Sequence, residues 1–232
     1  MEIGTATLDA FRLLASGDGA LWFIVWTSLM VAVLGLALAT VPAVGAAYLI
    51  ATHVFPGRRV VVVVAQAFLS FPTVLVGLVL YLLFTRQGPL GSLALLFTPT
   101  GMVLGQAVIA TPVVLAFSLA AMQAADPRLR ETAWVLGAGR WRTFVTVLRE
   151  LRFGLMAAVV AGFGRVIAEV GSALMIGGNI EGSTRTITTA IALETSKGDF
   201  AQGIALGIVL VALALGVNIM LAWLQGAGGF RR

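Results

Sequence analysis

The chain is 232 residues long, 59% hydrophobic and 11% charged, with a mean hydropathy of +1.03. A water-soluble domain of that composition would expose large apolar patches, whereas a hydrocarbon solvent removes the difficulty, so an ordinary soluble fold is excluded. The absence of Cys excludes a disulfide scaffold, and the formal charge of +5 comes almost wholly from Arg in short segments between apolar runs, a topological pattern rather than a nucleic-acid-binding face.

The first residues, MEIGTATLDAFRLLASGDGALWF, carry no positive cluster ahead of a short apolar core, so a cleaved signal peptide is not expected. Leu8, Phe11 and Leu14 instead fit one side of a brief amphipathic helix on the membrane surface, with Trp22 and Trp26 near the interface. A bilayer-spanning helix needs about 20 charge-free residues. The charges leave such stretches between Asp18 and His53, Arg59 and Arg86, Arg86 and Asp126, and Asp199 and Arg231. Another, from Phe153 to Ile176, is interrupted only by Arg165 and Glu169. The expectation is an all-α membrane protein, a single domain over 1–232, with five spans at about 20–50, 60–84, 101–123, 153–175 and 201–224.

Orientation follows from loop cations. One set of ends holds Arg58, Arg59, Arg128, Arg130, Arg140, Arg142, Arg149, Arg152, Arg231 and Arg232, while the other holds Arg12, Arg86, Arg185 and Lys197. This asymmetry predicts an outside N-terminus, a cytoplasmic C-terminus, a cytoplasmic segment at 126–152 and an external loop at 177–199. Pro42, Pro72 and Pro112 fall inside spans, where they predict bends. Gly101-xxx-Gly105 and Gly203-xxx-Gly207 permit close helix approach, and Gln66, Gln106 and Asn218 are expected to bond between helices.

Enzymatic chemistry has little to work with. His53 is the single His, Cys is absent, and Lys197 lies in Ser-Lys-Gly rather than in a phosphate-binding Gly-Lys-Ser/Thr loop. The segment from Asp126 reads as a helix pair. Asp126-Pro127 is a start signal, Leu129, Ala133 and Leu136 share a face, Gly137-Ala138-Gly139 is a turn, and Trp141, Phe144, Val145 and Leu148 begin a second amphipathic helix. On periodicity alone a hairpin lying on the membrane surface fits equally.

Glu131-Thr132-Ala133, with Gly137 six residues after the Glu and an aliphatic Val147 beyond, resembles the EAA loop of permease subunits in ABC importers. LGAGRWRTF is similar to the molybdate, sulfate and tungstate branch, and GRVIAEVGSALMIGGNIEGSTRTITTAIALETSKGDF resembles tungstate-type permeases. Where that family usually has Leu-Pro after the aliphatic residue, this chain has Arg149-Glu150. The resemblance implies a type I importer permease, a non-catalytic homodimeric subunit of a prokaryotic cytoplasmic membrane importing a tetrahedral oxyanion, tungstate first, by a path at the subunit interface. It implies as partners two ATP-binding subunits holding ATP and Mg2+ and an extracytoplasmic oxyanion-binding protein, with no cofactor in this chain. Glu131, Thr132, Ala133, Gly137, Ala138 and Gly139 would form the coupling helix and its turn.

Arg165 and Glu169 stand four apart on the fourth span, and two charges at membrane depth predict a pair, either a packing device or part of the path or gate. Asn179, Thr184, Arg185 and Thr188 make the external stretch rich in donors, with a helix expected at about Thr186 to Thr195 whose first N–H groups favour an anion. The same threonines read equally as caps. The rival class is an ion-gradient-driven transporter or channel without ATPase partners.

Overall fold

A computed structural model describes residues 3–126 and 128–229. The elements in order are α1 (Ile3–Ser16), α2 (Gly19–Thr52), α3 (Arg58–Ala67), a 3-10 turn (Phe68–Ser70), α4 (Thr73–Phe84), a second 3-10 turn (Gly91–Leu93), α5 (Pro99–Gln123), α6 (Arg128–Val135), α7 (Arg140–Glu150), α8 (Arg152–Ile167), α9 (Gly171–Gly177), α10 (Ile187–Lys197) and α11 (Phe200–Gly229). No strand occurs among the described residues, in keeping with a solvent that cannot satisfy an open sheet edge.

Among the described residues only α2, α5 and α11 are long and apolar enough to cross a bilayer unaided. The expected spans at 60–84 and 153–175 are each broken, α3 with its 3-10 turn meeting α4 at 95° and α8 meeting α9 at 63°. Counting each bent pair as one span gives five. The prolines act unequally. Pro42 and Pro112 sit inside continuous helices, whereas Pro72 stands at the N-cap of α4 after an extended Phe71, the backbone a residue before proline prefers.

Hydroxyls in α2 do not need outside partners: Thr27, Ser28, Thr40 and Thr52 each donate to the carbonyl four residues earlier. The core forms where α2 crosses α5 and α8, from Ala32, Leu36, Ala39 and Ala43 against Ala107, Ala110 and Val114 with Phe163 and Val166. Small side chains bring the backbones so close that a Cβ on Gly35 would lie 2.6 Å from Gln106 Cβ and 3.0 Å from the Val103 carbonyl oxygen. Gly101 and Gly105 are also used, against the Leu95 carbonyl and Ile176, while Gly207 faces open space. The expected interhelical bonds are not made as foreseen. Asn218 donates back to Ala214 in its own helix, Gln66 is exposed, and the buried Gln106 keeps Oε1 without a partner.

The amphipathic first helix exists, but its apolar residues divide. Ala10 is fully buried, with Leu13 and Leu14 beside it, against α2, α10 and α11, and Leu8 and Phe11 remain exposed. We predict that Gly35→Ala wedges α2 from α5 and destabilises the protein by ~1–3 kcal/mol. Gly45→Ala, where nothing lies within 4 Å, should instead gain roughly 0.5–1 kcal/mol of helix stability. Thermal unfolding of the purified variants separates them, and equal melting points would contradict the close crossing.

Candidate functional site

The break between α8 and α9 is organised by one carboxylate. α8 stops at Ile167, so Glu169 belongs to the connection rather than to a continuous helix, yet Arg165 Nη1 still donates to Glu169 Oε2 at 3.1 Å. The other oxygen, Oε1, accepts from the backbone N–H of Ser172 at 3.0 Å, satisfying a donor at the start of α9. The Glu169 carbonyl accepts from the Thr188 hydroxyl at 2.7 Å. The pair is asymmetric in access: the Glu169 side chain is 2% exposed and the Arg165 side chain 37%.

The surroundings of Glu169 are polar. Ile187 N–H, opening α10, donates to Ser28 Oγ of α2 at 2.7 Å, and Thr186 and Thr189 cap α10 reciprocally. Ser28, Gln106, Glu169, Thr186 and Thr188 border a small void of ≈ 10 Å³. On its other side Arg165 reaches the wall of a groove of ≈ 580 Å³, formed where α3 breaks into α4 and faces α5. Phe68, Phe71, Val79, Val108 and Pro112 are typical of that wall, and Arg165 is the one charged residue in it. Sequence reasoning paired Arg165 with Glu169 and expected Pro72 to bend its span, but did not place Arg165 in a groove at that 95° break.

The donors expected in the external stretch are largely occupied. Thr184 is fully buried, donating to the Gly177 carbonyl and accepting from Ile180 N–H, so it closes the turn. Arg185, its side chain 14% exposed, pairs with Glu181 at 3.4 Å. Asn179 adopts a left-handed φ of 53° and its Oδ1 is buried without a partner. Thr188 is held against the Glu169 carbonyl. Thus Thr188 joins the Arg165–Glu169 cluster, while Thr184 and Arg185 are bonded within the turn.

The helix pair at the opposite end forms as expected, with Arg128 N–H donating to Asp126 Oδ1 at 2.9 Å; Pro127 lies outside the described residues. Gly137 has φ 78° with no atom within 4 Å of a Cβ, so glycine is needed for conformation, not for space. Ala138 follows, and Gly139 is the N-cap of α7. Glu131 and Thr132 are exposed and Ala133 is buried. The expected apolar face of Leu129, Ala133 and Leu136 is only partly turned inward: Leu136 is 80% exposed, beside Val135 at 86%, with Trp141 of α7 at 72%. The inward side of α7 holds Thr143 and Val147, with Phe144 edge-on to Tyr48 of α2.

Two arginines that sequence reasoning treated only as topological charge meet at the end of α2. Arg58 Nε donates to the Ile50 carbonyl at 2.7 Å, and Arg130 Nη1 of α6 donates to the Thr52 carbonyl at 3.1 Å. Nothing in their spacing, 72 residues apart by number, marks them as partners of one helix end.

Broken spans around an apolar groove with a single cation, and a short helix pair carried outside the spans, define a multi-pass membrane transport permease. The chain belongs to the family described as binding-protein-dependent transport system inner membrane component, whose model matches residues 43–227. It therefore has the ABC type I importer permease fold and sits in a prokaryotic inner membrane. A probable anion ABC transporter permease protein of Haloferax volcanii is 46% identical over 171 residues, covering 72% of this chain and 74% of its own. Tungstate uptake system permease proteins TupB are 42% identical in Campylobacter jejuni, over 72% of this chain and 70% of that one, and 36% identical in Peptoclostridium acidaminophilum, over 93% and 95%. The molybdenum transport system permease protein ModB of Escherichia coli is 32% identical over 77% of this chain and 82% of its own. The chain thus falls in the molybdate, sulfate and tungstate branch.

Thr188→Val should cost ~1–3 kcal/mol, because it strips the donor from a buried carbonyl, and Thr188→Ser should recover most of it. Thermal unfolding of both variants checks this; a valine variant as stable as the parent would remove Thr188 from the cluster.

Proposed function

We propose that this chain is the membrane subunit of an ATP-driven importer for a tetrahedral oxyanion, tungstate first, with molybdate or sulfate as the alternatives of the same chemistry. The observation that carries the reading is Arg165, a partly exposed guanidinium set alone among charges in an apolar groove and backed by a buried carboxylate. A guanidinium offers forked donors to oxyanion oxygens, and the Glu169 charge behind it lowers the net attraction so that a passing anion is released. The names of the similar proteins, anion, tungstate and molybdenum permeases, support the same class of substrate.

In this reading a second copy completes the path at the subunit interface. Two separate ATP-binding subunits hold ATP and Mg2+ and dock on the segment carrying Glu131, Thr132, Ala133, Gly137, Ala138 and Gly139. The apolar Val135, Leu136 and Trp141 exposed there are the kind of surface a docked subunit covers. An extracytoplasmic binding protein delivers the anion to the face where Asn179, Thr184 and Arg185 shape the turn and Thr188 holds the Glu169 carbonyl beside the path. The loop cations support an outside N-terminus and a cytoplasmic C-terminus. The family's description as binding-protein-dependent favours this over an ion-gradient-driven transporter or channel.

The test is reconstitution in proteoliposomes with the proposed ATPase subunits and oxyanion-binding protein. The expected result is ATP-dependent accumulation of labelled tungstate, exceeding molybdate and sulfate, that stops when ATP is replaced by a non-hydrolysable analogue. Oxyanion uptake driven by an ion gradient without ATP, or no oxyanion uptake at all, would contradict the proposal.

A further inference from the structure

The α2 helix is attached by directional bonds at both ends to parts of the molecule far apart in sequence. At one end its final carbonyls are unsatisfied acceptors carrying the negative pole of the helix dipole, and no basic residue of its own last turn answers them. Arg58 takes the Ile50 carbonyl, and its second contact, Nη2 to the Ala51 carbonyl, is long at 3.5 Å. Arg130, which belongs to α6, takes the Thr52 carbonyl across 78 residues of sequence. The Arg130 guanidinium is held in place by its own helix, its Cζ lying 4.9 Å from the centroid of the Trp134 ring one turn on. Toward its other end, nine residues inside the helix, Ser28 accepts the Ile187 N–H at 2.7 Å, and Thr188, the next residue, donates to the carbonyl of Glu169.

Between Ser28 and Thr52 the helix is continuous for about 36 Å at 1.5 Å per residue, with Pro42 inside it removing one backbone donor. A helix of that length resists compression, so a displacement applied at Thr52 reaches Ser28. The contact of α7 with α2, Phe144 edge-on to Tyr48, orients two rings without fixing a donor on an acceptor. The bond from Arg130 has direction.

We propose that Arg130 is the positioning residue that ties α6 to α2, and that α2 then carries movement of α6 to the Arg165–Glu169 break through Ser28 and α10. The inference rests on the reading of α6 as the segment on which the ATP-binding subunits dock, and adds to it which bond transmits the movement and along which helix. Movement of α6 also reaches the spans through the chain itself, into α5 and by way of α7 into α8, and through the Phe144–Tyr48 contact of α7 with α2. Arg58 caps the same helix end but belongs to α3, so it stabilises α2 without linking it to α6. This separates capping from transmission.

The experiment uses the full complex in proteoliposomes and reads oxyanion molecules imported per ATP hydrolysed, counted per assembled complex. Arg130→Gln removes the charge and shortens the reach; Arg130→Lys keeps a cationic donor but loses the planar stack on Trp134. Arg58→Gln removes capping alone. The expected result is that Arg130→Gln lowers the transport-to-hydrolysis ratio at least tenfold while ATPase subunits remain bound. Arg130→Lys should restore part of that ratio, and Arg58→Gln should lower thermal stability with the ratio unchanged. Ser28→Ala, at the far tether, should lower the ratio in the same direction. An unchanged ratio in Arg130→Gln, or an equal fall in Arg58→Gln, would overturn the proposal. If the unmutated chain neither retains the ATPase nor needs ATP for uptake, the fault lies instead in the docking reading beneath it.

Discussion

A carboxylate deep among membrane helices persists only where both oxygens are answered, and Glu169 meets that condition with one donor from a side chain and one from the backbone. Each has a separate consequence. The Ser172 N–H bond lets α9 start at an angle to α8, so a 63° break sits in a span that composition alone would make straight. The Arg165 bond fixes a guanidinium on a residue that lines the groove. The break and the position of the cation therefore depend on the same buried side chain, and the Thr188 hydroxyl on its carbonyl fastens the arrangement to α10.

The rest of the fold holds that point in register. α2 and α5 approach at Gly35 and Gln106 closely enough to exclude a single methyl group, which makes them one body rather than two sliding rods. α8 packs on that body through Phe163 and Val166, while its continuation α9 leans on α4 at Gly77, where a Cβ would lie 2.7 Å from Ser172 Cα. The break is thus shared between two packing units, one around α2, α5 and α8 and one around α4 and α9. A movement of one against the other opens or narrows the groove in which Arg165 stands.

Much of this was legible from residue order. Charge-free runs located the three long apolar helices and the bent pair at 58–84, and the Asp126 start and the Gly137-Ala138-Gly139 turn marked the helix pair. The four-residue spacing of Arg165 and Glu169 announced their pairing. What composition did not carry was angle. Hydropathy over 60–84 is blind to a 95° turn, because Phe68, Leu69 and Phe71 remain apolar on either side of it. The threonines of the external stretch were read equally as donors to an anion and as caps, and Thr184 and Thr188 in fact answer the backbone carbonyls of Gly177 and Glu169. Likewise Arg130 and Arg58 looked like topology signals, since their partner is the bare end of a helix rather than any residue with a signature.

The central claim is that Glu169 is structural and Arg165 functional within a single ion pair, and a double-mutant cycle separates those roles. Because Glu169 also accepts the Ser172 N–H, Gln is the suitable replacement: it removes the charge and keeps an acceptor. Arg165→Met alone strands a buried carboxylate and should lower both stability and oxyanion uptake. Adding Glu169→Gln should restore the melting temperature of the complex while uptake stays at least roughly tenfold below the parent, since the anion has lost its contact. A double variant that regains native uptake along with its stability would show that Arg165 serves packing alone and would contradict the account.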